Sequence, residues 1–397
     1  MTSDVAVGDA QRDTHSRGLI PYFLVSSVLS LGYGSVLTLL GEIRDRFHIS
    51  ASHVGWIAGA GFLAGFVAQT GLARFADRGH AARMVRVGVV VSTCGVVMCI
   101  FATGLWMWIV ARVAMGLGSG MVSPATRRVV IARDPEHVGA NLGMQGAFDV
   151  AGFVVGPLVA GVLAQIVGLR APFVFLAVVN VVLLVLASRL DLRAGVLATE
   201  KRRVTALLRL PAMQAALFAS IAFYITIGMF EAVWSLLLDD LGASTLLIGL
   251  SFSFFTIPMV VLAPIGGRVA QRRGPMNVVV FSIFAASLCT LSYAFAPLWL
   301  LLVIALVHAC ADSFTMPGNQ VAVAMSSPPD QLAAGQGLLG SVGLLVAGAM
   351  GYVGGTLYDH AGRVWVFAST SAGMLVFLAL AAWRAGAVRS AERSFDA

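Results

Sequence analysis

The stretch Ala73-Arg74-Phe75-Ala76-Asp77-Arg78-Gly79-His80-Ala81-Ala82-Arg83 is a polar island between two apolar runs. Its opening returns 194 residues later, from 73 to 267, as Gly267-Arg268-Val269-Ala270-Gln271-Arg272. Two more anchors keep nearly the same offset. Gly55 of Val54-Gly55-Trp56 answers to Gly249 of Ile248-Gly249-Leu250, and Pro124 answers to Pro317. Apolar segments resemble one another by chance, but a repeated R-x-A-x-R loop is a stronger signal. The chain reads as a duplication.

Composition fixes the medium in which the two copies fold. Hydrophobic residues make up 58% of the 397 and charged residues 11%, with a mean hydropathy of +0.89. A soluble domain needs about 25% charged residues, so lipid must wet most of this surface. Cys94, Cys99, Cys289 and Cys310 all lie in apolar runs, which excludes a secreted disulfide scaffold. A bilayer span takes about 20 apolar residues. Such runs fall near 19–41, 53–73, 84–102, 105–127, 139–164 and 171–188, then near 211–238, 246–270, 276–296, 298–325, 333–357 and 364–383. Barrel strands would be half as long and alternate in polarity. Residues 1–18 carry Asp4, Asp9 and Asp13 and no short apolar core, so no signal peptide is expected there. The expected fold is an all-α integral membrane protein of twelve transmembrane helices in two pseudo-symmetric six-helix bundles. Residues 1–188 form the first bundle, 189–210 a basic cytoplasmic linker and 211–397 the second bundle.

Basic residues set the orientation. With the N-terminus inside, the inner segments hold Arg12 and Arg17, then Arg74, Arg78, Arg83 and Arg86, then Arg127, Arg128 and Arg133. The linker adds Arg189, Arg193, Lys201, Arg202, Arg203 and Arg209. Arg268, Arg272 and Arg273 follow the eighth run, and Arg384, Arg389 and Arg393 lie in the tail. Only Arg44, Arg46, Arg170 and Arg363 fall outside, with Arg112 inside a span. Both termini are therefore expected in the cytoplasm. The pI near 9.7 then reflects topology against an anionic inner leaflet and implies no nucleic acid. Heavy use of Arg over the single Lys201, with abundant Ala, Gly and Val, points to a GC-rich bacterial genome and an inner membrane.

Twelve runs in a 6+6 duplication, with this loop after the second and eighth, resemble the major facilitator superfamily in its drug:proton antiporter branch. The family loop reads G-x-x-x-D-R-x-G-R-R. Asp77 and Arg78 match it, Ala73 replaces the glycine, Gly79 comes one position early and the basic residue is displaced to Arg83. The second copy keeps Gly267, Arg272 and Gly274 but has Gln271 in place of the acid. An Asp facing arginines can form a charge-assisted latch, so Asp77, Arg78, Arg83 and Arg272 are candidates for a cytoplasmic gate. The fourth run, Arg112-Val113-Ala114-Met115-Gly116-Leu117-Gly118-Ser119-Gly120, is similar to the family's R-x-x-x-G-x-G. Gly116 and Gly120 share a face with Arg112 and would admit a neighbouring backbone. In the fifth run, Gly152, Gly156, Pro157 and Gly161 follow the antiporter motif G-x-x-x-G-P-x-x-G-G, with Ala160 for one glycine. The resemblance associates that motif with export.

Five ionisable residues fall inside the apolar runs: Arg112, Asp149, Glu231, His308 and Asp312. Each costs about 2.5–3.5 kcal/mol at a helix centre, so such groups face a cavity and act there. Counting about 1.5 Å per residue puts Asp149 and Asp312 about 21–22 Å below the outer surface, Arg112 and Glu231 near about 10 Å and His308 near about 15 Å. A carboxylate that is alternately desolvated and set beside an arginine would take a proton outside and release it inside. Asp149 is the expected main carrier, with Glu231 and the His308–Asp312 pair assisting and Arg112 as counter-charge. A buried network that only fixes helix register is the plainer reading of the same residues. Tyr33, Ser30, Gln145, Tyr224, Trp234 and Phe254 are candidates for the substrate cavity, a set that suits amphipathic or cationic organic molecules. The expected partners are a small-molecule substrate, protons and the lipid bilayer, with the chain a monomer and no metal or cofactor.

The favoured function is proton-coupled efflux of small hydrophobic compounds, the class that confers drug resistance and draws on the proton motive force. Two alternatives stay open: a proton-coupled metabolite uptake symporter of the same fold, and a non-transporting membrane enzyme or receptor. The chain lacks H-E-x-x-H, Walker A and a G-x-S-x-G in a strand–turn context.

Overall fold

The computed structural model describes the backbone of residues 2–48, 51–192 and 204–395. Side chains are described from Gly18 to Gly386 with scattered exceptions. The side chain of Glu231 and linker residues 193–203, Lys201 among them, lie outside the described residues. Among those described there is no strand. A backbone in lipid must satisfy its own polar groups, and helices do so within one segment.

The first half contains α1 (Thr2–Phe47), α2 (Ala51–Phe75), α3 (Ala81–Phe101), α4 (Leu105–Arg133), α5 (Val138–Ile166) and α6 (Ala171–Arg189). The second contains α7 (Pro211–Asp240), α8 (Thr245–Arg273), α9 (Pro275–Ser292) and α10 (Leu298–Ser326). The helical stretch Leu332–Phe395 breaks at Gly362, which takes φ 78° and ψ 177°, into α11 (332–361) and α12 (363–395). Likewise the apolar stretch Gly59–Phe101, 43 residues long, folds back at Ala76–His80, where Gly79 has φ 86°. Twelve helices result among the described residues.

Packing repeats as the sequence does. In the first half α1 packs on α5, α2 and α3 on α4, and α3 on α6. Adding six to each number gives the second half: α7 on α11, α8 and α9 on α10, and α9 on α12. The contacts between halves obey the same rule, α2 on α11 and α5 on α8. Large apolar side chains cover the outside, including Ile166 at 77% and Phe281 at 75% exposed, a surface that only lipid tolerates. Trp106 and Trp299 open α4 and α10 at equivalent positions, both exposed, as interfacial anchors do.

Two helix ends differ from the sequence expectation. α1 runs on to Phe47, so Arg46 is helical rather than in a loop. α4 runs to Arg133, so Arg127 and Arg128 belong to the helix and turn into the protein, Arg128 being 1% exposed. The apolar count alone ends that helix at Arg127. Both arginines have carboxylate partners, which is what lets a charge stay inside.

The halves touch on the basic side. Gly139 lies so close to Gly267 that a Cβ on either would strike the other's carbonyl, and Gly143 lies as close to Ala263. On the second seam Gly337 sits against Ala73 and Gln69, and Thr70 Oγ1 donates to Ser341 Oγ at 2.8 Å. Toward the opposite face the helices part around a cavity.

Candidate functional site

That cavity has a volume of about 700 Å³ and is lined by both halves. α1 contributes Gly34, Leu37 and Thr38, α2 contributes Phe62, and α5 contributes Phe153 and Pro157. Two helices supply the rest of the wall with a regular pattern: Phe252, Phe255, Thr256 and Met259 on α8, and Ala305, His308, Ala309 and Asp312 on α10. Each set has the spacing i, i+3, i+4, i+7 of a single helix face. Phe230 of α7 also lines it and stacks on Trp234, with ring centroids 4.4 Å apart, while Phe255 meets both rings edge-on. Trp234 is 1% exposed and stands behind the wall, its Nε1 donating to Ser251 Oγ at 2.9 Å. The wall is thus a fixed aromatic surface.

In this apolar wall sit two ionisable groups. His308 Nε2 lies 3.7 Å from Asp312 Oδ2. His308 Nδ1 shares a proton with the hydroxyl of buried Tyr293 at 2.9 Å, the donor depending on the imidazole tautomer. Asp312 Oδ1 and His308 Nε2 have no hydrogen-bond partner within the protein. A carboxylate facing an aromatic-walled cavity can bind an organic cation or a proton there.

The other intramembrane charges have different surroundings. Asp149 faces Arg127 of α4, whose terminal nitrogen is 3.9 Å from Oδ2. Arg112 is fully buried under the Tyr33 ring, 4.3 Å from its centroid, with Nε reaching the Ile57 carbonyl at 3.4 Å. The cation beside Asp149 is therefore Arg127, which the sequence reading does not single out. Hydropathy ends the fourth run at Arg127 and so places that residue at a loop, whereas α4 continues to Arg133 and carries it inside.

At the basic face Asp77 is 2% exposed. Its Oδ1 accepts from Arg128 Nε at 3.0 Å and from the Ala333 amide at 2.9 Å, and its Oδ2 accepts from the Ala334 amide at 2.9 Å. The carboxylate thus caps the start of α11 in the other half, where the helix dipole favours negative charge. Gln271 makes the related contact in the second copy. Its Oε1 accepts from the Gly139 amide at 2.6 Å, and its Nε2 donates to the Glu136 carbonyl at 2.8 Å. Among the contacts of the described residues, Asp77 is the expected gate residue that joins the halves. Arg78 leans on the Phe75 ring at 5.7 Å, and Arg83 and Arg272 are exposed. Arg128 was missed for the same reason as Arg127. Near the start of α5, outside the spans, Asp134 is held below the usual carboxylate range. Burial pushes it up, but hydrogen bonds from Asn141 and His137 outweigh that.

Of the expected cavity residues, none is on the cavity surface itself. Tyr33 and Trp234 back its wall through Phe62 and Phe230. Gln145 is 1% exposed and ties α5 to Ser26 and Thr126. Ser30 is half-buried and Phe254 is exposed on the outer side of α8. Tyr224 lines a smaller chamber nearer the basic face. The face spacing on α8 was the signal that would have chosen Phe252 and Phe255 over Phe254.

The glycine motifs lie at close approaches. Gly116 and Gly120 abut the backbone of α2 at Gly61 and Gly65, and Gly152 and Gly156 abut that of α1 at Ser27 and Leu31. Gly161 faces open space.

Two like bundles enclosing a central cavity between them define a membrane transporter. The model of the Major Facilitator Superfamily matches residues 22–230 and 216–396, and the chain belongs to that family. It is 26% identical over 231 residues to multidrug resistance protein MdtG of Serratia proteamaculans, covering 55% of this chain and 56% of that one. A second MdtG, from Enterobacter lignolyticus, is 26% identical over 232 residues, with 55% of each chain covered. The chain thus spans about half the length of the curated relatives it matches. Among solved structures it is similar to the human organic anion transporter MFSD10 (TETRAN), with TM-score 0.79 and 16% identity over 92% of this chain and 99% of that one. That likeness shows the fold.

Proposed function

We propose that this transporter exports small hydrophobic or amphipathic organic compounds in exchange for protons. It would act as a monomer in the inner membrane with both termini in the cytoplasm. One observation carries the reading: a drug-sized cavity between the halves, walled by aromatic and aliphatic side chains, with the His308–Asp312 pair in its wall. Its volume lies within the roughly 300–1,000 Å³ of small-molecule pockets. The relatives called multidrug resistance proteins support the substrate class, and the Gly152-to-Gly161 motif supports the direction. Asp312, facing the cavity, is the group at which compound and proton meet. Asp149, beside Arg127, is the second carboxylate of the cycle, and Glu231 lies on the cavity-lining helix α7.

Everted vesicles holding a pH dye and challenged with lipophilic cations such as ethidium test this. Compound-dependent alkalinisation of the lumen is expected, and Asp312→Asn and Asp149→Asn should each lower it about tenfold or more. Acidification of the lumen would mean uptake. An unchanged response in Asp312→Asn would remove the role given to the cavity carboxylate.

A further inference from the structure

Below the cavity, toward the basic face, the halves enclose a chamber of about 190 Å³ with the opposite character. Gln69 of α2, Arg127 of α4, Ser220 of α7, and Asn319 and Gln320 of α10 turn polar groups into it, and Met316 lines it one turn from Asp312. Six polar atoms there have no partner within the protein: Gln69 Oε1, Arg127 Nε, Ser220 Oγ, both amide atoms of Asn319, and Gln320 Oε1. Ser220, Asn319 and Gln320 are 0%, 2% and 4% exposed. So many unmet groups inside a protein demand an occupant that can satisfy them.

The donor and acceptor set identifies its chemistry. Three carbonyl oxygens would repel a bare anion, and a hydrophobic compound would leave all six groups unmet. Water both donates and accepts. Arg127, in the same wall, links the chamber to Asp149, which faces it from outside the lining. Their 3.9 Å separation is beyond a direct hydrogen bond, and Asp149 Oδ1 has no partner, an arrangement that a bridging water completes.

We propose that this chamber is a hydrated vestibule for protons, separate from the compound's cavity, through which Asp149 exchanges with water on the basic side once the latches open. The proposal rests on the proton-coupled reading above. It adds that the proton of Asp149 travels through a polar space that the compound does not enter, while Asp312 in the apolar cavity remains where compound and proton compete. Met316, one turn from Asp312, marks the border.

The test uses the full chain reconstituted in lipid vesicles, with ethidium as the compound. X-ray radiolysis of bound water should oxidise Met316 well above Met115, which is 2% exposed in a dry cluster with Trp108 and Phe173. Asn319→Leu combined with Gln320→Leu should abolish that labelling. It should also cut ethidium-driven proton flux about tenfold or more while leaving ethidium binding unchanged. Should the double variant fail to reach the membrane, Ser220→Val should move both readouts in the same direction. Met316 as protected as Met115 in the wild type would overturn the vestibule, as would flux that persists when the chamber is filled. If ethidium drives no flux in the wild type although Met316 is labelled, proton coupling itself fails and the vestibule's role falls with it.

Discussion

Asp77 and Gln271 hold equivalent positions in the two copies, and each caps the start of a helix in the other half. Their chemistry differs. A carboxylate only accepts, and Asp77 receives two backbone amides and the Arg128 guanidinium. An amide accepts and donates, and Gln271 uses both functions across residues 136–139. Gln271→Glu keeps the acceptor for the Gly139 amide but sets a negative oxygen against the Glu136 carbonyl. The loss of one satisfied pair should weaken closure by about 1–3 kcal/mol. It would be read as faster thiol labelling from the basic side of a cysteine placed at Ser123 in the chamber wall. Asp77→Asn retains the shape and removes the charge from a pair buried on both sides. Breaking a buried pair costs about 3–5 kcal/mol, so this variant should melt lower and transport more slowly than Gln271→Glu. Equal behaviour of the two would mean that charge is irrelevant to the latch.

At the scale of helices, the approach of α5 to α1 depends on missing side chains. A Cβ at Gly156 would strike the Leu31 carbonyl and come within 3.0 Å of Ser35 Oγ, which itself donates to the Gly156 carbonyl at 3.0 Å. Five residues on, Gly161 has nothing within 4 Å of the same virtual atom. Gly156→Ala should therefore destabilise the first bundle by about 1–3 kcal/mol as an overpacked contact, whereas Gly161→Ala should be neutral. Detergent-solubilised melting temperatures of the pair check this, and equal shifts would refute the close-approach argument. The same motif shows how far the sequence could be read. Helix number, duplication and contact-bearing glycines were legible because lipid imposes long apolar runs, and the loop repeat lay on top of them. The inner ends of helices were not. α4 carries Arg127 and Arg128 into the protein because Asp149 and Asp77, from other parts of the chain, neutralise them. Hydropathy sees each residue alone and stops at the charge. The cavity was missed for a related reason, since single aromatic residues do not announce their face. Phe252 and Phe255 line it and Phe254 does not.

Across the whole molecule, the pairings α2 on α11 and α5 on α8 are exchanged by the same pseudo-two-fold that relates the halves. Both seams lie at the basic face, and the 700 Å³ cavity lies beyond them. A symmetric pair of seams can open together if one bundle tilts against the other, which would close the cavity's far side and expose the chamber. The seam between α2 and α11 offers a direct test, because Thr70 Oγ1 and Ser341 Oγ lie 2.8 Å apart. Thr70→Cys with Ser341→Cys places two thiols where a disulfide can form across the halves, in a background where exposed Cys94 is replaced by serine. Oxidation should hold the basic side shut and stop ethidium transport, and reductant should restore it. A cysteine at Thr256, in the cavity wall, should stay reactive from the opposite face throughout, because the lock fixes the state in which that cavity is open. If the locked protein still carries ethidium, the halves need not part along this seam, and a path outside the two bundles would have to be sought.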